Sequence, residues 1–275
     1  MHPGARNFAD DAAVIELGGE ALVLTHDMLV EGVHFLPGQD PADIAWKLVA
    51  TNISDLAAKG AEPLGVLLGY TLGRDDMRFL EGLKAALDHY RVPLLGGDTV
   101  GSAGPQTLGL TAIGRATVRP VPSRSGARPG DGLWLTGSLG AAMIGLEALQ
   151  TGTGDSLTYR RPLARLAEGL LLASQVTAMM DVSDGLLLDA SRMARASGIT
   201  FTIDSALVPI AAPEARRNEA LRWGDDYELL FTLPPGAKPA APATRIGEAI
   251  ATCESAILLD GSPLSPNERL GFEHR

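Results

Sequence analysis

A single cysteine, Cys253, stands in a chain of 275 residues. It has no internal partner, which rules out a disulfide-stapled fold and points to a reducing compartment. No apolar run approaches the ~20 residues that a membrane helix needs. Residues 1–11 carry no basic segment followed by an apolar one, so a signal peptide is not expected either. These absences lead to the expectation of a cytoplasmic protein with no membrane partner. Basic residues are also in short supply: 23 Lys and Arg stand against 33 Asp and Glu, a net charge of −10. Nucleic acid is therefore a poor partner, because phosphate backbones are bound through Lys and Arg. There is no G-x-x-x-x-G-K-[ST] loop, no H-R-D segment, and no Cys/His spacing that would hold zinc.

What is present is a normal apolar share, 45%, enough to build one large core or two modest ones. Residues 12–17 and 22–28 read as strands about a Gly18-Gly19 turn. A helix follows, with Asp40 as N-cap, Pro41 at its first position, an apolar stripe from Ile44 to Ala57, and Gly60 to close it. Strands are expected at 65–72, 92–95 and 107–116, with a helix at 76–90. The Pro- and Arg-bearing stretch 117–130 reads as a connection between domains, which divides the chain into 1–118 and 119–275. Beyond it come a strand at 133–136, helices from 138, near 163–176 and at 184–197, and strands at 199–204, 228–233, 244–246 and 256–259. The order is α+β.

Aspartates recur at the junctions of these elements. Asp10 and Asp11 precede the first strand, Asp98 follows two glycines, Asp181 and Asp184 bracket Val182-Ser183, and Asp225-Asp226 precede a strand. Several also suit simpler roles. Asp10 and Asp11 fit a solvated turn, Asp55 an i,i+4 pair with Lys59, and Asp184 or Ser183 a helix cap. Asp27 is different. A charge among strand residues that read as buried costs several kcal/mol unless it is paired or metal-bound. Together the acids suit oxygen ligation of Mg²⁺, which takes carboxylates, water and phosphate oxygens.

Particular segments carry a more specific signal. They are Asp10-Asp11-Ala12-Ala13-Val14, Asp27-Met28-Leu29-Val30-Glu31-Gly32-Val33-His34-Phe35, Asn52-Ile53-Ser54-Asp55, Gly96-Gly97-Asp98, Arg124-Ser125-Gly126-Ala127-Arg128-Pro129-Gly130-Asp131, Asp181-Val182-Ser183-Asp184-Gly185 and Asp226-Tyr227-Glu228-Leu229-Leu230-Phe231. In this order they resemble the thiamine-monophosphate kinase family, in the superfamily of aminoimidazole ribonucleotide synthetase. The resemblance implies a two-domain PurM-like fold. Its N-terminal mixed sheet would carry helices on one face and bind Mg-ATP, beside a C-terminal α/β domain. It also implies a homodimer joined through the N-terminal sheets, and ATP-dependent phosphorylation of thiamine monophosphate to thiamine diphosphate.

By position, the family's magnesium ligands fall on Asp11, Thr25, His26, Asp27, Asp55, Asp98, Asp181 and Asp184. Its ATP contacts fall on Gly97, Asp98, Arg124 and Ser183, and its substrate contacts on His34, Asp225 and Phe272. This sequence departs from the pattern at several places. Ala9 stands for Gly, His26 for Thr, and Asp225 for Glu; Arg is missing after Gly96-Gly97-Asp98; and the N-terminal helix usual in the family has no counterpart before Asp10. Two alternatives remain at this stage. One is another ATP-using superfamily member such as aminoimidazole ribonucleotide synthetase, and the other is a non-catalytic Mg-nucleotide binder.

Overall fold

The computed structural model describes residues 2–265 and 268–273. The first half holds β1 (Ala13–Leu17), β2 (Glu20–Val30), α1 (Pro41–Ala58), β3 (Ala61–Thr71), α2 (Asp76–Tyr90), β4 (Leu94–Val100) and β5 (Thr107–Ala116). Gly18 and Gly19 both take positive φ, the backbone that a tight hairpin between β1 and β2 demands. The sheet order is β1-β2-β5-β3-β4, antiparallel except for the β3–β4 pair. As expected, Asp40 caps α1, accepting a hydrogen bond from the Ala42 N–H at 3.0 Å.

The helices α1 and α2 cover one face of this sheet. Ile44, Leu48, Ile53 and Leu56 pack there with Val23, Val66, Leu108 and Leu110. The other face is open: Met28 is 50% and Leu67 40% exposed. This single-sided mixed sheet agrees with the α+β expectation.

The second half holds β6 (Gly132–Leu135), α3 (Ala141–Thr151), α4 (Leu157–Arg160), α5 (Leu166–Leu172), β7 (Ala178–Val182), α6 (Leu186–Ser197), β8 (Ile199–Ile203), α7 (Arg217–Ala220), β9 (Glu228–Leu233), β10 (Thr244–Ala251), β11 (Ile257–Leu259) and β12 (Ser262–Pro263). Its sheet runs β12-β11-β8-β10-β6-β9-β7 around a separate core that includes Leu133, Met180, Phe201 and Leu230.

Two differences from the sequence expectation bear on the site. Gly96, Gly97 and Asp98 lie inside β4 rather than after it. β7, with sequence Ala-Met-Met-Asp-Val, was not expected as a strand. Ala178 and Asp181 disfavour strands, and all five residues are buried, so no alternation marks them. The two halves meet along α1, in which 16 of 18 residues are buried because one side packs on its own sheet and the other on the second half. The approach is close: a Cβ on Gly169 of α5 would lie 2.1 Å from the Ala57 carbonyl oxygen. Among the described residues, no helix is long and apolar enough to cross a membrane.

Candidate active site

Where α1 meets the second half of the chain it carries polar residues spaced by four: Lys47, Thr51, Asp55 and, just past the end, Lys59. At 1.5 Å per residue this ridge is about 18 Å long. All four are buried, both lysines completely. In a sequence such a stripe reads as a solvated face; here the second half of the chain covers it and makes it the floor of a site.

At one end of the ridge the chain gathers acids from three places. Ligand oxygens of Asp11 (before β1), Asp55 (α1) and Asp181 (β7) all lie within 4.8 Å of one another. The Thr25 hydroxyl on β2 donates to Asp55, and the Ser54 hydroxyl donates to Asp181 at 2.6 Å. Among the described residues neither Asp55 nor Asp181 forms an ion pair. Burial, and then the charges of Asp27, Asp181 and Asp11, push the Asp55 carboxyl well above its usual range. Burial and the charge of Asp11 push Asp181 up to about 8.

The cations gather on the neighbouring pair instead. Lys59 bonds Asp10 rather than its helix neighbour Asp55. Burial opposes ionisation of Asp10, but Lys59 and Arg6 outweigh it and hold the carboxyl down at about 2. Asp10 and Asp11 are therefore not solvated turn residues. Arg124 donates from Nε to Asp11 Oδ1 at 2.8 Å. The other oxygen, Oδ2, is buried and pairs with Lys59 Nζ at 2.6 Å. Two buried carboxyls without a cation, each within 4.8 Å of the Asp11 carboxylate, are a donor set that fits a hard divalent cation.

The ridge's other end opens into a cleft between the halves, with a volume of about 590 Å³. Asp27, His34, Ser183, Asp184, Asp225 and Phe272 line it. Asp27 comes from β2, where its backbone N–H donates to Asn52 Oδ1 at 3.0 Å. Asp184 does not cap α6, whose N-cap is Gly185 without a side-chain bond. Arg192 holds Asp184 instead and also bonds the buried Asp189 at 2.8 Å. Burial, then the charge of Asp184, raises Asp189 to about 7.

Two residues lie outside this assembly. His26 alternates with Thr25 and Asp27, so its ring points to the open face of the sheet, where Nδ1 lies 2.9 Å from the Thr111 hydroxyl. Its side chain is not a member of the acid cluster. Asp98 is exposed on edge strand β4, with β5 and β3 between it and β2. At about 4.8 Å per strand that is roughly 14 Å away. Within one chain the structure does not bring Asp98 to the other acids. Gly97 has a structural reason of its own, since a Cβ there would fall 1.9 Å from the Leu68 carbonyl oxygen of β3.

The sequence reading assigned no role to Lys47 or Asp189, named Lys59 only as a helix partner of Asp55, and held Asn52 and Ser54 only within a motif. The spacing from Asp55, eight residues back to Lys47 and four on to Lys59, was the available signal.

Comparison with known proteins points the same way in both halves. Residues 9–116 match the AIR synthase related protein, N-terminal domain, and residues 128–258 its C-terminal domain. The thiamine-monophosphate kinase of Escherichia coli (strain K12) is 37% identical over 296 residues, covering 96% of this chain and 90% of its own. That of Caulobacter vibrioides (strain ATCC 19089 / CIP 103742 / CB 15) is 34% identical over 304 residues, covering 99% and 86%. Among solved structures, AaThiL complexed with AMPPCP and TMP has a TM-score of 0.86 at 30% identity, covering 98% of this chain and 94% of that one.

Proposed function

Because the chain belongs to the thiamine-monophosphate kinase family, we propose that it transfers the γ-phosphoryl group of ATP directly to thiamine monophosphate, giving thiamine diphosphate. The observation that carries this reading is the joining of the acid cluster and the cleft by one helix. Asp55 of α1 belongs to the cluster, and Thr51, one turn earlier, lines the cleft.

The chemistry asks little of the protein beyond placement. A phosphate monoester has a second pKa of about 6, so the acceptor is largely a dianion at neutral pH and needs no general base. The obstacle is bringing two polyanions into line. Magnesium held by Asp11, Asp55 and Asp181, with Thr25, Asp27 and Asp184 alongside, would supply charge neutralisation and alignment of the phosphates. Arg124 donates to Asp11 through both Nε and Nη2, and its remaining guanidinium N–H groups are donors suited to a phosphate oxygen. Ser183 offers a hydroxyl at the mouth of α6, and His34, Asp225 and Phe272 bound the acceptor end of the cleft.

The open face of the N-terminal sheet suits pairing with a second copy, as the family resemblance implies. Asp98 and the His26 ring lie on that face, so any part they take in the site would depend on assembly.

The test is to incubate the purified protein with ATP, Mg²⁺ and thiamine monophosphate and to separate the products. Thiamine diphosphate is expected. ATP binding without product would leave a nucleotide-binding protein and end the kinase reading.

A further inference from the structure

The acceptor end of the cleft is organised by a residue that does not line it. Lys47 on α1 is completely buried. Its ammonium donates to Asp225 Oδ2 at 2.7 Å and to the His34 carbonyl oxygen at 3.1 Å, and sits 4.1 Å from the centre of the Tyr159 ring. The Tyr227 hydroxyl donates to the other Asp225 oxygen at 2.9 Å, and the Tyr159 hydroxyl donates to the His34 carbonyl oxygen at 3.2 Å. Asp225 itself sits at a φ of 65°, an uncommon backbone for a residue other than glycine, so something must hold it there.

We propose that Lys47 is a positioning residue for the acceptor: it fixes Asp225 and the His34 turn across the cleft and is not a ligand for the acceptor's phosphate. The proposal rests on the kinase reading. Its physical basis is that the ammonium has no solvent-facing surface and already has two hydrogen-bond acceptors and an aromatic face. Asp225 is the outward member of the pair, with its side chain 28% exposed. Each of its oxygens already accepts one hydrogen bond and keeps a further lone pair. Asp225 so held presents acceptor positions to the cleft, which suits a substrate part bearing N–H donors or positive charge. A phosphate would meet a carboxylate there rather than a free lysine.

The experiment separates positioning from phosphate binding. The wild type is assayed first for thiamine diphosphate formation, and no product would sink the kinase reading itself. KM for thiamine monophosphate, KM for ATP, and competitive inhibition by unphosphorylated thiamine are then measured for Lys47→Met, Asp225→Asn and the double variant. Lys47→Met is expected to raise the acceptor KM at least 10-fold, to weaken thiamine inhibition by a similar factor, and to leave the ATP KM within 2-fold. The double variant should be no worse than the poorer single one, because each change disables the same unit. If Lys47→Met weakens the phosphorylated acceptor but not thiamine, Lys47 is a phosphate ligand and the proposal fails. It also fails if the acceptor KM does not move, or if the two losses multiply. Should Lys47→Met not fold, Lys47→Arg and Asp225→Asn carry the same comparison, since Asp225 is only partly buried.

Discussion

Replacing Asp181 by Asn should make the metal-free protein more stable, not less. The cluster brings carboxylate oxygens of Asp11, Asp55 and Asp181 within 4.8 Å of one another. At that separation and an effective dielectric constant of about 20, each ionised pair repels by about 3.5 kcal/mol. The protein avoids part of this by keeping protons on Asp55, which burial and the neighbouring acids push well above its usual range, and on Asp181, pushed up to about 8 by burial and the charge of Asp11. Holding the Asp181 proton at pH 7.5 costs about 5 kcal/mol relative to an unfolded chain in which the carboxyl titrates near 4. Asn carries no charge and can still accept the Ser54 hydrogen bond. After relaxation, a gain of about 2 to 5 kcal/mol is expected in the presence of a chelator, which is at least about 5 °C in Tm for a chain of this size. Magnesium should close most of the difference. It should raise the wild type by roughly 3 kcal/mol at a hundredfold excess over its dissociation constant and move the variant little. The assay is thermal unfolding of both proteins in EDTA and in Mg²⁺ at pH 7.5. An Asp181→Asn protein that is less stable than wild type in EDTA, or that gains as much from Mg²⁺, would refute the reasoning.

Three further outcomes follow from other parts of the structure. Asp226 is buried at the start of α3 and accepts from the Gly140 N–H at 2.8 Å, and burial raises its carboxyl to about 8. The folded chain then holds a proton that the unfolded chain releases near pH 4, so this group's contribution to stability falls as pH rises from about 4 to 8. Asp226→Asn should flatten that slope by up to about 1.4 kcal/mol per pH unit, read from urea unfolding at a series of pH values. Gly169→Ala places a methyl group 2.1 Å from the Ala57 carbonyl oxygen, where the two halves meet. It should cost about 1–3 kcal/mol and reduce turnover by shifting α1; unchanged Tm and turnover would show that the contact is slack. Leu67→Glu lies on the open sheet face, 40% exposed. It should leave the fold of the single chain intact and abolish self-association in sedimentation, if that face carries the pairing.

The local signals in the sequence were strong where chemistry acts over a few residues. Asp40 with Pro41 announced the start of α1, Gly18-Gly19 the first hairpin, and Gly198 the end of α6. Asp27, an acid inside a strand, was legible as out of place without any fold. The alternation of β2 already assigns His26 to the face opposite Thr25 and Asp27, although the family pattern drew it into the ligand set. What no local pattern contains is the second half of the chain closing over the polar ridge of α1. The i,i+4 rule pairs Lys59 with Asp55, but in the fold Lys59 turns to Asp10 and Asp11, which are far away in sequence and near in space. That exchange leaves Asp55 with a hydroxyl and Asp181 for company. β7, which brings Asp181, is a strand only because α1 and the second core bury it on both sides. Aspartates suited to hard cations are thus a property of the sequence. Which of them come close enough to share one, and which are neutralised by the protein's own lysine and arginine, depends on burial and on distances of a few ångströms. Only tertiary packing sets those.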